Sequence, residues 1–266
     1  MVWESDPLLL SLGSFQLKVL SVYLALGYLF AFAEFRRVSV GAGRSADDSI
    51  ELLSLVLIGT LVGGRLVSLM QFDRSTLMAP SLRSVFVGEF NAEGAALGAL
   101  GAVFVHARDK KLDVRAVLDW SAAGGLGAAA IASLGSFFST RSVGTATGLP
   151  WGMRFPGHDG ALDAPFRHPV ALCECLGMLA IGAGVLWLSR TGGRVGRAAG
   201  VALALFGGLR LALWSLRVDA SSGALGVKGV ALGLVVLGGW LVLMSGRRGA
   251  ASASDSSSSP QATSVS

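Results

Sequence analysis

The sequence predicts an all-α, polytopic integral membrane protein with seven transmembrane helices. Three observations carry that reading. Of 266 residues, 52% are hydrophobic and only 15% are charged, where a soluble domain of this size devotes about a quarter of its residues to charge. Mean hydropathy is +0.63. Apolar windows of about 20 residues, the length of helix that crosses about 30 Å of hydrocarbon, recur along the chain. The 37 glycines follow no three-residue period, and small residues let membrane helices approach closely.

The predicted spans are, in order, Leu17 to Phe35, Ile50 to Met70, Val87 to Ala107, Val117 to Phe138, Val170 to Leu188, Ala198 to Leu216 and Ala224 to Met244. Gly124-Gly125 and Gly207-Gly208 weaken the fourth and sixth as isolated helices. Residues 1–16 precede the first span as a short outer segment; Glu4 and Asp6 stand where a signal peptide is basic, so the first span is expected to be retained. Residues 17–248 form the transmembrane domain. The Ser- and Ala-rich stretch 249–266 cannot bury a core and is expected to be a disordered cytoplasmic tail.

Basic loops stay cytoplasmic. Arg36, Arg37 and Arg44 lie in the first connection, Arg108, Lys110, Lys111 and Arg115 in the third, Arg190, Arg194 and Arg197 in the fifth, and Arg247 and Arg248 open the tail. That count puts the N-terminus outside, the C-terminus inside, and the fourth loop, with Trp151 and His158, on the outer side. The net charge of +5 is therefore a topology signal rather than a nucleic-acid surface. Cys173 and Cys175 are too few and too close to staple a fold or complete a zinc site. No glycine-rich phosphate loop or metal-ligand spacing is present, and no cofactor is expected.

Polar chemistry concentrates at the ends of spans. Arg65 follows Gly63-Gly64 inside the second span, where a cation either snorkels to an interface or meets a partner in a polar cavity. Glu89 and Glu93 lie four apart at the start of the third, on one helical face, suited either to a base or to a solvated helix entrance. The exit of the fourth span, Ser133 to Gly144, is rich in hydroxyls and carries Arg141, suited either to hydrogen-bonding a phosphate or ester headgroup, with Ser136 among the donors, or to ordinary interhelical contacts. Arg167-His168-Pro169 then precedes a helix carrying Glu174. His168 suits a proton carrier or a structural hydrogen-bonder. Arg210 lies within the sixth span, with Arg217 just beyond it. Two arginines in apolar spans need neutralising, so some of Glu89, Glu93, Asp119 and Glu174 are expected to face them, with an anionic headgroup completing the balance.

In this order the motifs resemble the prolipoprotein diacylglyceryl transferase family. The resemblance runs from about Gly13 to Asp219. It rests on Gly63-Gly64-Arg65-Leu66, Glu93-Gly94 to Gly98, Asp119, the spaced Gly135, Phe137 and Gly144, Leu149-Pro150-Trp151-Gly152, the run from Arg167 to Glu174, and the Gly-x-x-Arg ending at Arg210. It implies a bacterial inner-membrane enzyme that moves a diacylglyceryl group from phosphatidylglycerol to the lipobox cysteine of a prolipoprotein, without metal or nucleotide. It departs from the family pattern where Glu93 replaces a histidine, Ser133 an arginine, Ser136 and Ser139 asparagines, Arg141 an acidic residue and Trp214 a glutamate. On this resemblance Glu93, His168 and Arg210 are the candidate catalytic residues, and Arg65, Ser133, Ser136, Arg141, Arg167 and Arg210 the candidate headgroup ligands. The partners implied are phosphatidylglycerol, a lipoprotein precursor and the bilayer. Glu93 and Arg141 either form a shielded ion pair or are both solvated at the outer interface. The competing reading is a catalytically degenerate member that binds phospholipid or lipopeptide as an accessory protein.

Overall fold

In a computed structural model, residues 8–12, 15–41, 43–72, 91–140, 142–159, 163–191, 194–218 and 224–245 are described. The elements in chain order are a hairpin of β1 (Leu8–Leu12) and β2 (Phe15–Lys18), then helices α1 (Val19–Gly41), α2 (Ala46–Phe72), α3 (Ala92–Asp109) and α4 (Val114–Phe138). A loop lobe follows, with β3 (Met153–Arg154), the short α5 (Pro156–Asp159) and β4 (Phe166–Arg167). Helices α6 (Val170–Arg190), α7 (Arg197–Trp214) and α8 (Ala224–Leu243) complete the chain. Among the described residues, α1, α2, α4, α6 and α7 are long and apolar enough to cross a membrane, and Lys228–Leu243 is a shorter apolar helix. In hydrocarbon no water can satisfy the backbone, so an apolar run of this length closes its hydrogen bonds internally as helix.

Helix ends follow local chemistry. The expected first span begins at Leu17, but the chain there is still paired with β1, in the register Leu10↔Leu17. At its far end α1 runs past the apolar window to Gly41, because Arg37 and Glu34 pair one turn apart on the exposed face. Asp47 and Asp48 occupy the first turn of α2, where carboxylates meet the positive end of the helix dipole. Asn91 caps α3 by accepting from Gly94 N–H at 2.7 Å. The expected start of the third span at Val87, and Glu89 with it, lie outside the described residues. Pro169 precedes α6, where a missing N–H costs nothing.

The helices pack in pairs, α2 against α3, α1 against α4, α4 against α6, and α7 against α8. One apolar cluster joins Ala31, Phe35, Leu52, Val103, Ala107 and Val117 from α1 to α4. A second joins Leu126, Val185, Ala198 and Ala202 from α4, α6 and α7. The α2–α3 seam is the tightest. Gly59 and Gly63 face Gly98 and Gly94 so closely that a Cβ on either Gly94 or Gly98 would overlap the carbonyl oxygen of Gly63 or Gly59. Bare backbones in contact are the usual membrane solution for helices with no hydrophobic drive between them.

The start of α3 is tucked against the interior of α2 rather than level with its end. Asn91 N–H donates to Gly64 C=O at 3.1 Å, eight residues before α2 ends, or about 12 Å along the helix at 1.5 Å per residue. The first turn of α3 thus opens below the level where α2 terminates.

Candidate active site

Three helix segments converge on one buried guanidinium. Glu93, in the first turn of α3, Glu174, in the second turn of α6, and Arg210, in the last turns of α7, are 2%, 3% and 8% exposed. Arg210 Nε donates to Glu93 Oε1 at 2.8 Å, and its Nη2 donates to the same oxygen. Its Nη1 donates to Glu174 Oε1. That oxygen also accepts from Arg217 Nη1 at 3.2 Å. Two arginines and two glutamates therefore form a charge-balanced chain. Neutrality matters at such burial, because an unpaired charge carries the full desolvation penalty.

The loop lobe holds Arg217 in this chain. Beyond α7 the backbone turns at Ser215 and Leu216, and Leu216 C=O accepts from Thr145 N–H at 2.8 Å. Gly144 bridges Arg217 on one side, and Ala146 bridges Arg167 on the other. Gly144 is squeezed between two carbonyls: an added Cβ would lie 2.5 Å from His168 O and 2.9 Å from Leu216 O. Only glycine fits there, which accounts for the Gly144 picked out in the sequence.

The predicted site residues divide. Glu93 and Arg210 meet directly. Arg65 is half-buried and follows Gly64, whose carbonyl receives the α3 cap, so it stands beside the entrance to α3. Ser136 is half-buried in the last turn of α4, and its carbonyl accepts from Ser139 Oγ at 3.3 Å. Arg141 lies outside the described residues, and so does any pairing of it with Glu93. Ser133 is buried, with its hydroxyl 3.9 Å from Met178 Sδ, and joins α4 to α6. Arg167 clamps the loop lobe. Its Nε and Nη2 reach Asp159 Oδ1 at 3.2 and 2.7 Å, and its Nη1 reaches Gly144 C=O at 3.3 Å. Hydrogen bonding to Arg167 holds the Asp159 carboxyl below its ordinary range. His168 serves the same loop through its backbone, donating N–H to Thr145 C=O at 3.1 Å and accepting from Gly144 N–H at 3.0 Å.

Asp119 was expected among the groups facing the arginines, and its carboxylate instead receives Gly196 N–H at 2.7 Å and Ala199 N–H at 2.8 Å, capping α7 from across the bundle. Gly196 adopts φ of 86° to turn into that cap. The partners lie 77 residues apart, so no local pattern announces the contact. Arg217 was noticed only as a neighbour of the sixth span. A cation about two turns past Arg210 was the available signal. Among the described residues no group of three or more His, Cys, Asp or Glu side chains is placed to hold a metal ion.

The model of prolipoprotein diacylglyceryl transferases matches residues 7–245. The chain belongs to the prolipoprotein diacylglyceryl transferase family. Among its relatives, a phosphatidylglycerol–prolipoprotein diacylglyceryl transferase of Solidesulfovibrio magneticus is 28% identical over 90% of this chain and 94% of its own length. One of Nitratidesulfovibrio vulgaris is 28% identical over 92% of this chain and 95% of its own. One of Tolumonas auensis is 26% identical over 71% and 73%. The match spans every helix that contributes to the Arg210 cluster.

Proposed function

We propose that this protein is a bacterial inner-membrane transferase that moves the diacylglyceryl group of phosphatidylglycerol to the cysteine thiol of a prolipoprotein. The carrying observation is the charge-balanced cluster of Glu93, Arg210, Glu174 and Arg217, buried within a chain of this family. The transfer breaks the bond between a glyceryl carbon and a phosphate oxygen. Sulfur forms the new bond to that carbon, and glycerol phosphate leaves with the electron pair.

Glu93 is the proton acceptor. Its Oε1 carries both contacts to Arg210, which leaves Oε2 as the oxygen for the thiol proton. When Glu93 takes that proton, the cluster passes from neutral to one net positive charge. The positive charge appears as the leaving phosphate gains its negative one, and Arg210 is the group that answers it. Arg65, Ser136 and Arg141 are assigned to the headgroup. Ser133 and Arg167 hold the frame through Met178 and Asp159, and His168 positions Gly144, which bridges Arg217.

This reading also accounts for two departures from the family pattern. A glutamate is absent at Trp214, one turn after Arg210, and a carboxylate appears at Glu93 instead. The two changes together keep Arg210 balanced, with the charge supplied from α3 rather than α7. All seven long helices are assigned as spans, with the N-terminus outside and the tail cytoplasmic, on the loop charge count.

The test is transfer of labelled diacylglyceryl from phosphatidylglycerol to a lipobox peptide by the purified protein. Glu93→Gln keeps the shape and removes the base, so it should fold and lose transfer. Wild-type turnover by Glu93→Gln, or no transfer by the unaltered protein, would overturn the assignment.

A further inference from the structure

The loop lobe carries a surface that its structural role does not explain. Leu149-Pro150-Trp151-Gly152 forms a β-turn closed by Gly152 N–H to Leu149 C=O at 3.0 Å, with Pro at the position its fixed φ favours. Turns at protein surfaces are built mainly from Gly, Asn, Asp and Ser, which solvate well. This one instead presents Leu149 at 44% and Trp151 at 58% exposure. The strands behind the turn continue the pattern. Met153 pairs with Arg167 and Arg154 with Phe166, and directly paired residues share a face. Met153 is exposed on one face and Phe166 on the other. A hairpin resting on water turns one apolar face inward and one polar face outward. This finger is apolar at its tip and sets an exposed apolar side chain on each face, beside Arg167 on one and Arg154 on the other.

Its place in the chain says what surrounds it. Phe166 lies four residues before Val170, the first residue of the membrane-length helix α6, and Gly144 ties the lobe to Arg217, just past α7. The finger therefore stands at the level where α6 and α7 meet the aqueous phase. Its cation fits that level. Arg154 lies with its guanidinium carbon 4.6 Å from the Phe166 ring centroid, an arrangement that keeps the stem on apolar surface and offers the charge to phosphate. Trp and Arg over aliphatic side chains are the composition of a segment seated at the headgroup boundary.

We propose that the finger formed by Leu149 to Arg154 and Phe166 inserts into the headgroup–acyl boundary of the bilayer beside α6 and α7, with Arg154 on a lipid phosphate. Inserted there, it anchors the lobe whose Gly144 bridges Arg217. The proposal does not depend on the transfer reaction.

The experiment uses the full-length protein in vesicles of phosphatidylglycerol and phosphatidylcholine. Its six tryptophans are resolved by subtracting the emission of Trp151→Phe from that of the unaltered protein. The Trp151 component should be strongly quenched by lipids brominated near the headgroup end of the acyl chain, and hardly at all by aqueous iodide. Arg154→Gln should shift that component to longer wavelength in phosphatidylglycerol-rich vesicles only. Quenching by iodide and not by brominated lipid would overturn the proposal. Shielding from iodide only after a lipobox peptide is added would also overturn it, and would assign the finger to the acceptor. If Trp151→Phe fails to fold, a fluorophore on Trp151→Cys, in a background with Cys173 and Cys175 replaced by alanine, gives the same readout.

Discussion

Replacing Gly94 with alanine tests whether the α2–α3 seam sets the position of Glu93. The new Cβ would lie 2.6 Å from Val67 Cβ and 2.8 Å from Val67 Cγ2, besides overlapping the Gly63 carbonyl. Ordinary contact begins at 3.4 Å, so α3 must retreat by at least about 0.8 Å, the difference between 2.6 and 3.4 Å. A gap of about 0.5–1 Å already forfeits a quarter to a half of each dispersion contact across the seam. Overpacking of this kind costs about 1–3 kcal/mol. Because the obstruction includes backbone, we expect the upper half of that range, and a fall in Tm of about 4–12 °C in detergent. The same retreat, added to the 2.8 Å between Arg210 Nε and Glu93 Oε1, breaks that bond and leaves Glu93 held through Nη2 alone. Transfer should therefore fall further than the loss of folded protein explains. Gly101→Ala is the control, since a Cβ there meets nothing within 4 Å; it should hold or raise Tm by removing a helical glycine. Equal Tm and equal transfer for the two variants would refute the reasoning.

Three further outcomes follow from the same geometry. Glu93→Gln and Arg210→Gln should each cost about 3–5 kcal/mol, with Arg210→Gln the worse because it also leaves Glu174 with Arg217 alone, and the double variant should recover part of the loss; a thermal-unfolding cycle with strictly additive terms would show the cluster uncoupled. Asp119→Ala should cost about 0.5–2 kcal/mol and speed amide exchange at Gly196 and Ala199 specifically, since those two N–H groups lose their acceptor. Asp159 has a folded pKa below its unfolded one, so its contribution is present above about pH 4 and lost as the pH falls through the folded value; acid should release the loop lobe first, read as protease cleavage between Gly144 and His168, and Asp159→Asn should release it at neutral pH.

The helices were legible because hydrophobic length is a local property: each predicted span overlaps a helix among the described residues, and five of those helices are long and apolar enough to cross a membrane. The ends were less so. The hairpin ahead of α1 pairs Leu-rich segments that by composition read as the approach to the span. The site was legible in its members more than in its pairing. Glu93 and Arg210 carry the wrong polarity for their surroundings, which is visible in one dimension. That they satisfy each other depends on three helices meeting. The resemblance implies Arg167 and Ser133 as headgroup ligands, and in the fold each is engaged within the protein, by Asp159 and by Met178. Donors that bind a ligand and donors that brace a loop look the same in a sequence.

The carboxylate of Asp119 fixes more than a helix end. It grips α7 at Ala199, and Arg210 follows eleven residues later, about three full turns and about 16 Å along the axis. Three whole turns bring the guanidinium back to the side of the helix on which it is gripped. The segment 199–210 is thus a ruler, clamped at one end and read at the other. Its outward-facing side chains can change so long as the helix persists, but its residue count cannot. One residue added or removed would swing the guanidinium by about 100° and shift it by about 1.5 Å, enough to disengage both glutamates without altering any residue that touches them.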